Sequence, residues 1–130
     1  MTGIDTNVLV RFVVQDDPRQ SAQADAFFAS LTVDNLGYLS MTTIVESVWV
    51  LERVYKLSKV QVQELLARLL RAPEVILEQS LRIGEAVALY VRGADFADAM
   101  IASAGRAAGC KTTLSFDRGA IKHAQMTPLP

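Results

Sequence analysis

The sequence predicts an α/β protein with a mostly parallel central sheet sandwiched between helices. Short strand-like stretches recur along the chain, and each is followed by residues that read as helix. Such alternation favours parallel pairing, because a parallel neighbour needs a long crossover connection. There is no linker, repeat or low-complexity tract, so the 130 residues (1–130) are expected to form one domain, large enough to bury a core unaided.

The elements follow in order. Gly3–Asp5 reads as a short strand and Asn7–Gln15 as a helix that stops at Asp16-Asp17-Pro18. Asp17 can cap the next helix with Pro18 at its first position, where the missing N–H is harmless. That helix carries Ala24, Phe27, Phe28 and Leu31 inward. Leu36–Ser40 reads as a strand, and Thr43–Tyr55 and Val60–Leu70 as amphipathic helices that break near Leu57-Ser58 and end before Pro73. Glu74–Leu77 is the next strand. Leu81–Val91 is a helix ending at Gly93, and Asp95–Ala108 a helix with Gly109 as its stop. Lys111–Ser115 is a strand, Asp117–Gln125 a turn and short helix, and Met126–Pro130 an edge strand.

Composition narrows the functional class. The hydrophobic share is 51% and mean hydropathy is +0.24, which points to a buried protein interface, most simply a homodimer. A single cysteine, Cys110, excludes a disulfide framework and a cysteine-based zinc site, and suits a cytoplasmic chain. No secretory signal is expected at the N-terminus, and no apolar run approaches the ~20 residues of a membrane span. With a net charge of −1, any grip on nucleic acid must come from a local basic patch.

Four carboxylates stand where a carboxylate is poorly placed. Asp5 ends the first strand and opens an apolar run. Glu46 lies in TTIVESVWVL, Asp98 in ADFADAMIASA, and Asp117 just after the strand TLSF. All four are expected beyond a strand's carboxyl end or in the first turn of the next helix, the edge where open parallel sheets bind ligands. Helix capping would explain each singly: Thr43 to Glu46 fits a capping box, Asp95 to Asp98 a variant of one, Asp5 a cap, and Asp117 with Gly119 a turn. Jointly they ask for more, since neither Glu46 nor Asp98 has a Lys or Arg within four residues. Clustered acids without an organic cation suit a metal, and all-oxygen ligands suit Mg²⁺ or Mn²⁺, as one or two ions.

Taken together, Ile4-Asp5-Thr6-Asn7-Val8-Leu9, Glu46 in its apolar helix, Asp95-Phe-Ala-Asp98-Ala-Met-Ile-Ala102 and Ser115-Phe116-Asp117 resemble the PIN-domain ribonucleases. The closest look is to the VapC toxins of bacterial toxin–antitoxin pairs. The resemblance implies a PIN-like fold, metal-dependent endoribonuclease (hydrolase) activity on RNA, and a cognate VapB-like antitoxin. It matches Asp5, Glu46, Asp98 and Asp117 to the acidic quartet, and Thr6 and Ser115 to hydroxyl positions beside it. Ser115 stands where Thr is commoner and keeps the hydroxyl. Asp95 matches an acid outside the core four, either a helix cap or an outer ligand partner. Asp5 and Asp98 are expected to bind metal directly, with Glu46 and Asp117 acting as ligands through water or orienting the nucleophile.

Two alternatives come from other classes. A phospho-acceptor receiver domain wants an acid pair directly after the first strand, whereas Asp16-Asp17 follow a helix. A non-catalytic PIN scaffold would have no need of all four acids. The remaining residues are read plainly: Trp49 and Phe12 as core, Cys110 as packing, His123 as surface. Trp49, Val50, Val54, Leu66 and Leu70 are expected to wall a groove for an amphipathic partner peptide.

Overall fold

A computed structural model describes residues 1–130. Each predicted element has a counterpart, in the order β1 (Thr2–Gly3), α1 (Thr6–Val14), α2 (Pro18–Ala29), β2 (Gly37–Leu39), α3 (Met41–Arg53), α4 (Lys59–Arg71), β3 (Val75–Leu77), α5 (Ser80–Val91), α6 (Phe96–Ala107), β4 (Leu114–Ser115), α7 (Arg118–His123) and β5 (Thr127–Pro128), though β1 stops at Gly3, so Asp5 lies past the strand and does not end it. The chain divides into two compact units, Met1–Glu78 and Gln79–Pro130.

In the first unit the strands lie in the order β1-β2-β3, all parallel, with Thr2 opposite Gly37 and Gly37 opposite Val75. A helix pair separates each strand from the next, which is what parallel pairing requires. The helix starts are set by short polar side chains. Asp17 accepts from Gln20 N at 2.9 Å with Pro18 in the first position, and Ser58 and Gln61 form a reciprocal capping box. Phe12 of α1 stacks on Phe28 of α2 with centroids 4.2 Å apart, and Leu9, Leu39, Ile44, Leu51, Val62 and Leu66 are fully buried.

The second unit packs α5 against α6 and pairs β4 with β5 in parallel, Leu114 opposite Thr127. Small buried residues, Ala86 on α5 and Ala99, Ala102 and Ser103 on α6, let the helix backbones approach closely. The Ser103 hydroxyl donates to Glu85 at 3.2 Å, and Tyr90 meets Phe96 edge-on at 5.7 Å. Gly93 sits at φ +116°, and a Cβ there would stand 3.2 Å from the His123 ring, so this helix exit is built for glycine.

Several sequence expectations are corrected. Helix α3 starts at Met41, because Ser40 and not Thr43 is its cap: Ser40 Oγ accepts from Thr43 N at 3.0 Å. The predicted Thr43–Glu46 capping box therefore does not exist, and Glu46 falls in the second turn. Trp49 is 56% exposed, since its face of α3 has no covering element, and Cys110 is exposed past the end of α6. His123 is partly buried against Gly93 and is not a free surface residue. Leu66 is 1% exposed, on the inward stripe of α4 with Val62, Leu65 and Leu69, and so cannot wall a groove.

Candidate active site

In the first unit, the carboxyl ends of the three parallel strands run into Asp5, Ser40 and Glu78. Glu78 is committed to structure, accepting from Met41 N at 2.8 Å and so capping α3. Asp5 is not. Its backbone carbonyl takes the first N–H groups of α1, from Val8 at 3.1 Å and Leu9 at 3.3 Å, yet its side chain makes no capping bond. A hydroxyl relay ties the start of α3 to this point: Ser40 Oγ donates to Thr43 Oγ1 at 3.0 Å, which donates to the Ile4 carbonyl at 3.4 Å. Glu46 stands one turn beyond Thr43 on the same helix face, exposed and with no bonding partner. Thr6, beside Asp5, is buried. Arg11, the nearest cation in sequence, is turned elsewhere: it donates to Gln20 at 2.8 Å and Tyr55 at 2.9 Å and pairs with Asp16 at 3.4 Å.

In the second unit, Asp95 caps α6 by accepting from Asp98 N at 3.0 Å. Asp117 caps α7 by accepting from Ala120 N at 2.8 Å, while its own N–H donates to Ser115 Oγ at 3.0 Å. Each uses one carboxylate oxygen and leaves the other uncommitted. Asp98 is partly buried in the first turn of α6 with no bond to its carboxylate. Burial pushes its pKa up, and the negative charges of Asp95 and Asp117 push it further. The unit thus brings Asp95, Asp98 and Asp117 within electrostatic range of one another, as their place around one strand end and two helix starts predicts.

The donor set fits a hard divalent cation. These acids offer uncommitted anionic oxygens, and no Lys or Arg neutralises Asp98. Within neither unit do three His, Cys, Asp or Glu side chains converge into a preformed metal cage. The fit therefore rests on donor chemistry and on the unrelieved charge at Asp98.

A family model for the PIN domain matches residues 4–125, a span that includes residues of both units. The chain belongs to the PIN domain family. PIN domains are in general nucleases, so the receiver-domain alternative is set aside. No curated protein and no solved structure matches the chain. No helix of this PIN domain is long and apolar enough to cross a membrane.

A further exposed side chain stands beside these acids. Phe116, between Ser115 and Asp117, is 87% exposed. The bonds that fix Ser115 and Asp117 hold its backbone in a tight turn, so the ring is presented on a rigid mount beside the acids. An aromatic residue between a strand end and a capping acid is the sequence signal for this exposed ring.

Proposed function

We propose that the chain is a single catalytic domain that hydrolyses RNA phosphodiester bonds with Mg²⁺ or Mn²⁺. On the resemblance of the motifs, Asp5, Glu46, Asp98 and Asp117 are the acids assigned to hold one or two ions. The observation that carries this reading is Asp98, a partly buried carboxylate crowded by Asp95 and Asp117 without a cation, in a member of a nuclease family. When bound, the metal supplies Lewis acidity and a water of lowered pKa. Asp5 and Asp98 are assigned as direct ligands. Glu46 and Asp117 would bind it through water or orient the attacking one; the Asp117 carboxylate is positioned by the bond it accepts from Ala120 N, while the Ser115 hydroxyl accepts from the Asp117 backbone N–H. Thr6 packs beside Asp5, and Asp95 fixes the turn that carries Asp98. Attack by water in place of the ribose 2′-hydroxyl leaves a 5′-phosphate and a 3′-hydroxyl. Phe116 stacks a base near the scissile bond.

The biological role assigned here is that of a VapC-type toxin, held in check by a VapB-like antitoxin and assembled as a homodimer. The resemblance of the motifs to the toxins supports it, as do the exposed Trp49 on α3 and Val54 at its end, at 56% and 58%. A Trp49→Glu variant that sediments and binds antitoxin like wild type would remove that face from both contacts. The test of the enzymatic reading is cleavage of a fluorogenic RNA by antitoxin-free protein. Activity should require Mn²⁺ or Mg²⁺, stop in EDTA and vanish in folded Asp98→Asn. Equal cleavage with and without EDTA would refute it.

A further inference from the structure

At the far end of α6 from Asp98 the chain turns at Gly109, φ +88°, and returns through residues 110–113 into β4. The turn borders a partly open cavity of about 200 Å³ whose polar lining is Arg106, Cys110, Lys111, Thr112, Thr113 and Gln125, with no acid among its walls. That volume is below the ~300 Å³ at which organic-ligand pockets begin, yet several times the ~30 Å³ share of one water, so it suits a compact polar group. Arg106 and Lys111 are exposed and engaged in no ion pair. In a chain of net charge −1, two such cations facing one concavity without a counter-charge make a local anion trap.

A helix C-terminus ordinarily repels anions through its orphan carbonyls. Here three of the last four are occupied: Ala104 O accepts from Ala108 N, Gly105 O from Cys110 N and Arg106 O from Gly109 N, each at 3.0 Å. Thr112 shares a hydrogen bond with the Thr127 hydroxyl, and when Thr127 donates, Thr112 keeps its own proton for a ligand.

We propose that this cavity binds a phosphate group, gripped by the guanidinium fork of Arg106, the point charge of Lys111 and the threonine hydroxyls. Two sources share that chemistry, a backbone phosphate of bound RNA and free phosphate. Arg106 stands eight residues beyond Asp98, about 12 Å along the helix axis. The phosphate held here is therefore not the one cleaved. For the RNA source the inference rests on the nuclease reading, and it gives the substrate strand a second anchor on the same helix.

The chain's single cysteine lines the cavity, so its alkylation reports occupancy in the unmodified protein. In EDTA, a single-stranded RNA of about 12 nucleotides at about four times its Kd should slow iodoacetamide labelling of Cys110 about fivefold. Millimolar inorganic phosphate should slow it too. Arg106→Gln with Lys111→Gln should abolish both protections at unchanged Tm, and lower the salt slope of RNA binding by about 1. Protection by phosphate alone would make free phosphate the source, and protection by RNA alone would make it the strand. Labelling unaffected by either probe, with RNA shown bound by anisotropy, would overturn the proposal, as would an unchanged double variant. Absence of metal-dependent cleavage would sink the nuclease reading and leave the phosphate arm as the test of the cavity.

Discussion

Asp5 and Asp117 hold equivalent places in the two units, each just past a strand and immediately ahead of a helix, yet their side chains behave differently. Asp117 accepts from Ala120 N at 2.8 Å and starts α7, whereas the carboxylate of Asp5 makes no bond to α1. Their neighbours differ too. Thr6, after Asp5, is 5% exposed; Phe116, before Asp117, is 87% exposed. One sequence signature, an acid at a helix start, thus covers two physical situations. Asp117 contributes to the fold through one carboxylate oxygen and leaves the other without a bond. Asp5 serves α1 through its backbone carbonyl alone, so its carboxylate has no bond to the fold.

The largest effect that would test this contrast is on cleavage. Asp5→Asn and Asp98→Asn should each lower metal-dependent RNA cleavage by more than about 100-fold, beyond the range of groups that act only through a ligand. Retention of a tenth of the activity by Asp5→Asn, measured with contaminating nuclease excluded, would break the assignment of Asp5 as a free metal ligand.

Next in size is the exposed ring. Phe116→Ala should weaken RNA binding by about 1–3 kcal/mol if one base stacks there. Tm should be unchanged because the side chain packs against little. An unaltered RNA affinity would remove the second unit's rim from the binding surface.

The capping difference itself should appear as stability in EDTA. Asp117→Ala should cost about 1 kcal/mol, the ordinary loss for an N-cap, whereas Asp5→Ala should stay within about 0.5 kcal/mol of wild type. Equal losses in thermal melts would mean that the two acids are the same kind of residue after all.

The smallest effect concerns Asp98. Its pKa is raised in the folded state by burial and by Asp95 and Asp117, so folding favours its protonated form. Its contribution to stability is full below the ordinary Asp value of about 3.9 and is lost as pH rises through the raised folded value. At neutral pH in EDTA, Asp98→Asn should therefore melt about 1–3 °C above wild type, and the gap should close as pH falls towards about 4. Exposed Glu46, by contrast, should show a change within about 0.5 kcal/mol as Glu46→Gln. A pH-independent gap at Asp98, or a larger gain at Glu46, would place the strained charge elsewhere.

Much of this molecule is determined locally. The caps at Asp17, Ser58 and Asp95, the stops at Gly93 and Gly109, and the alternation of strand and helix depend on φ preferences and on hydrogen bonds three or four residues apart. A window of sequence contains both partners of each such bond. The places of Asp5, Asp98 and Asp117 at helix starts were legible for the same reason, whereas Glu46, expected in a first turn, lies in the second because α3 begins at Met41. What required tertiary structure was the partner of each side chain across distant segments. The first N–H of α3, on Met41, is satisfied by Glu78 at the end of another strand, and no pattern within TTIVE shows that. Trp49 and Leu66 both lie at apolar helical positions, and only the packing of neighbouring helices decides that one is exposed and the other enclosed. Whether an acid is spent on a cap or left free is likewise a matter of side-chain geometry, which separates Asp5 from Asp117 although both precede a helix.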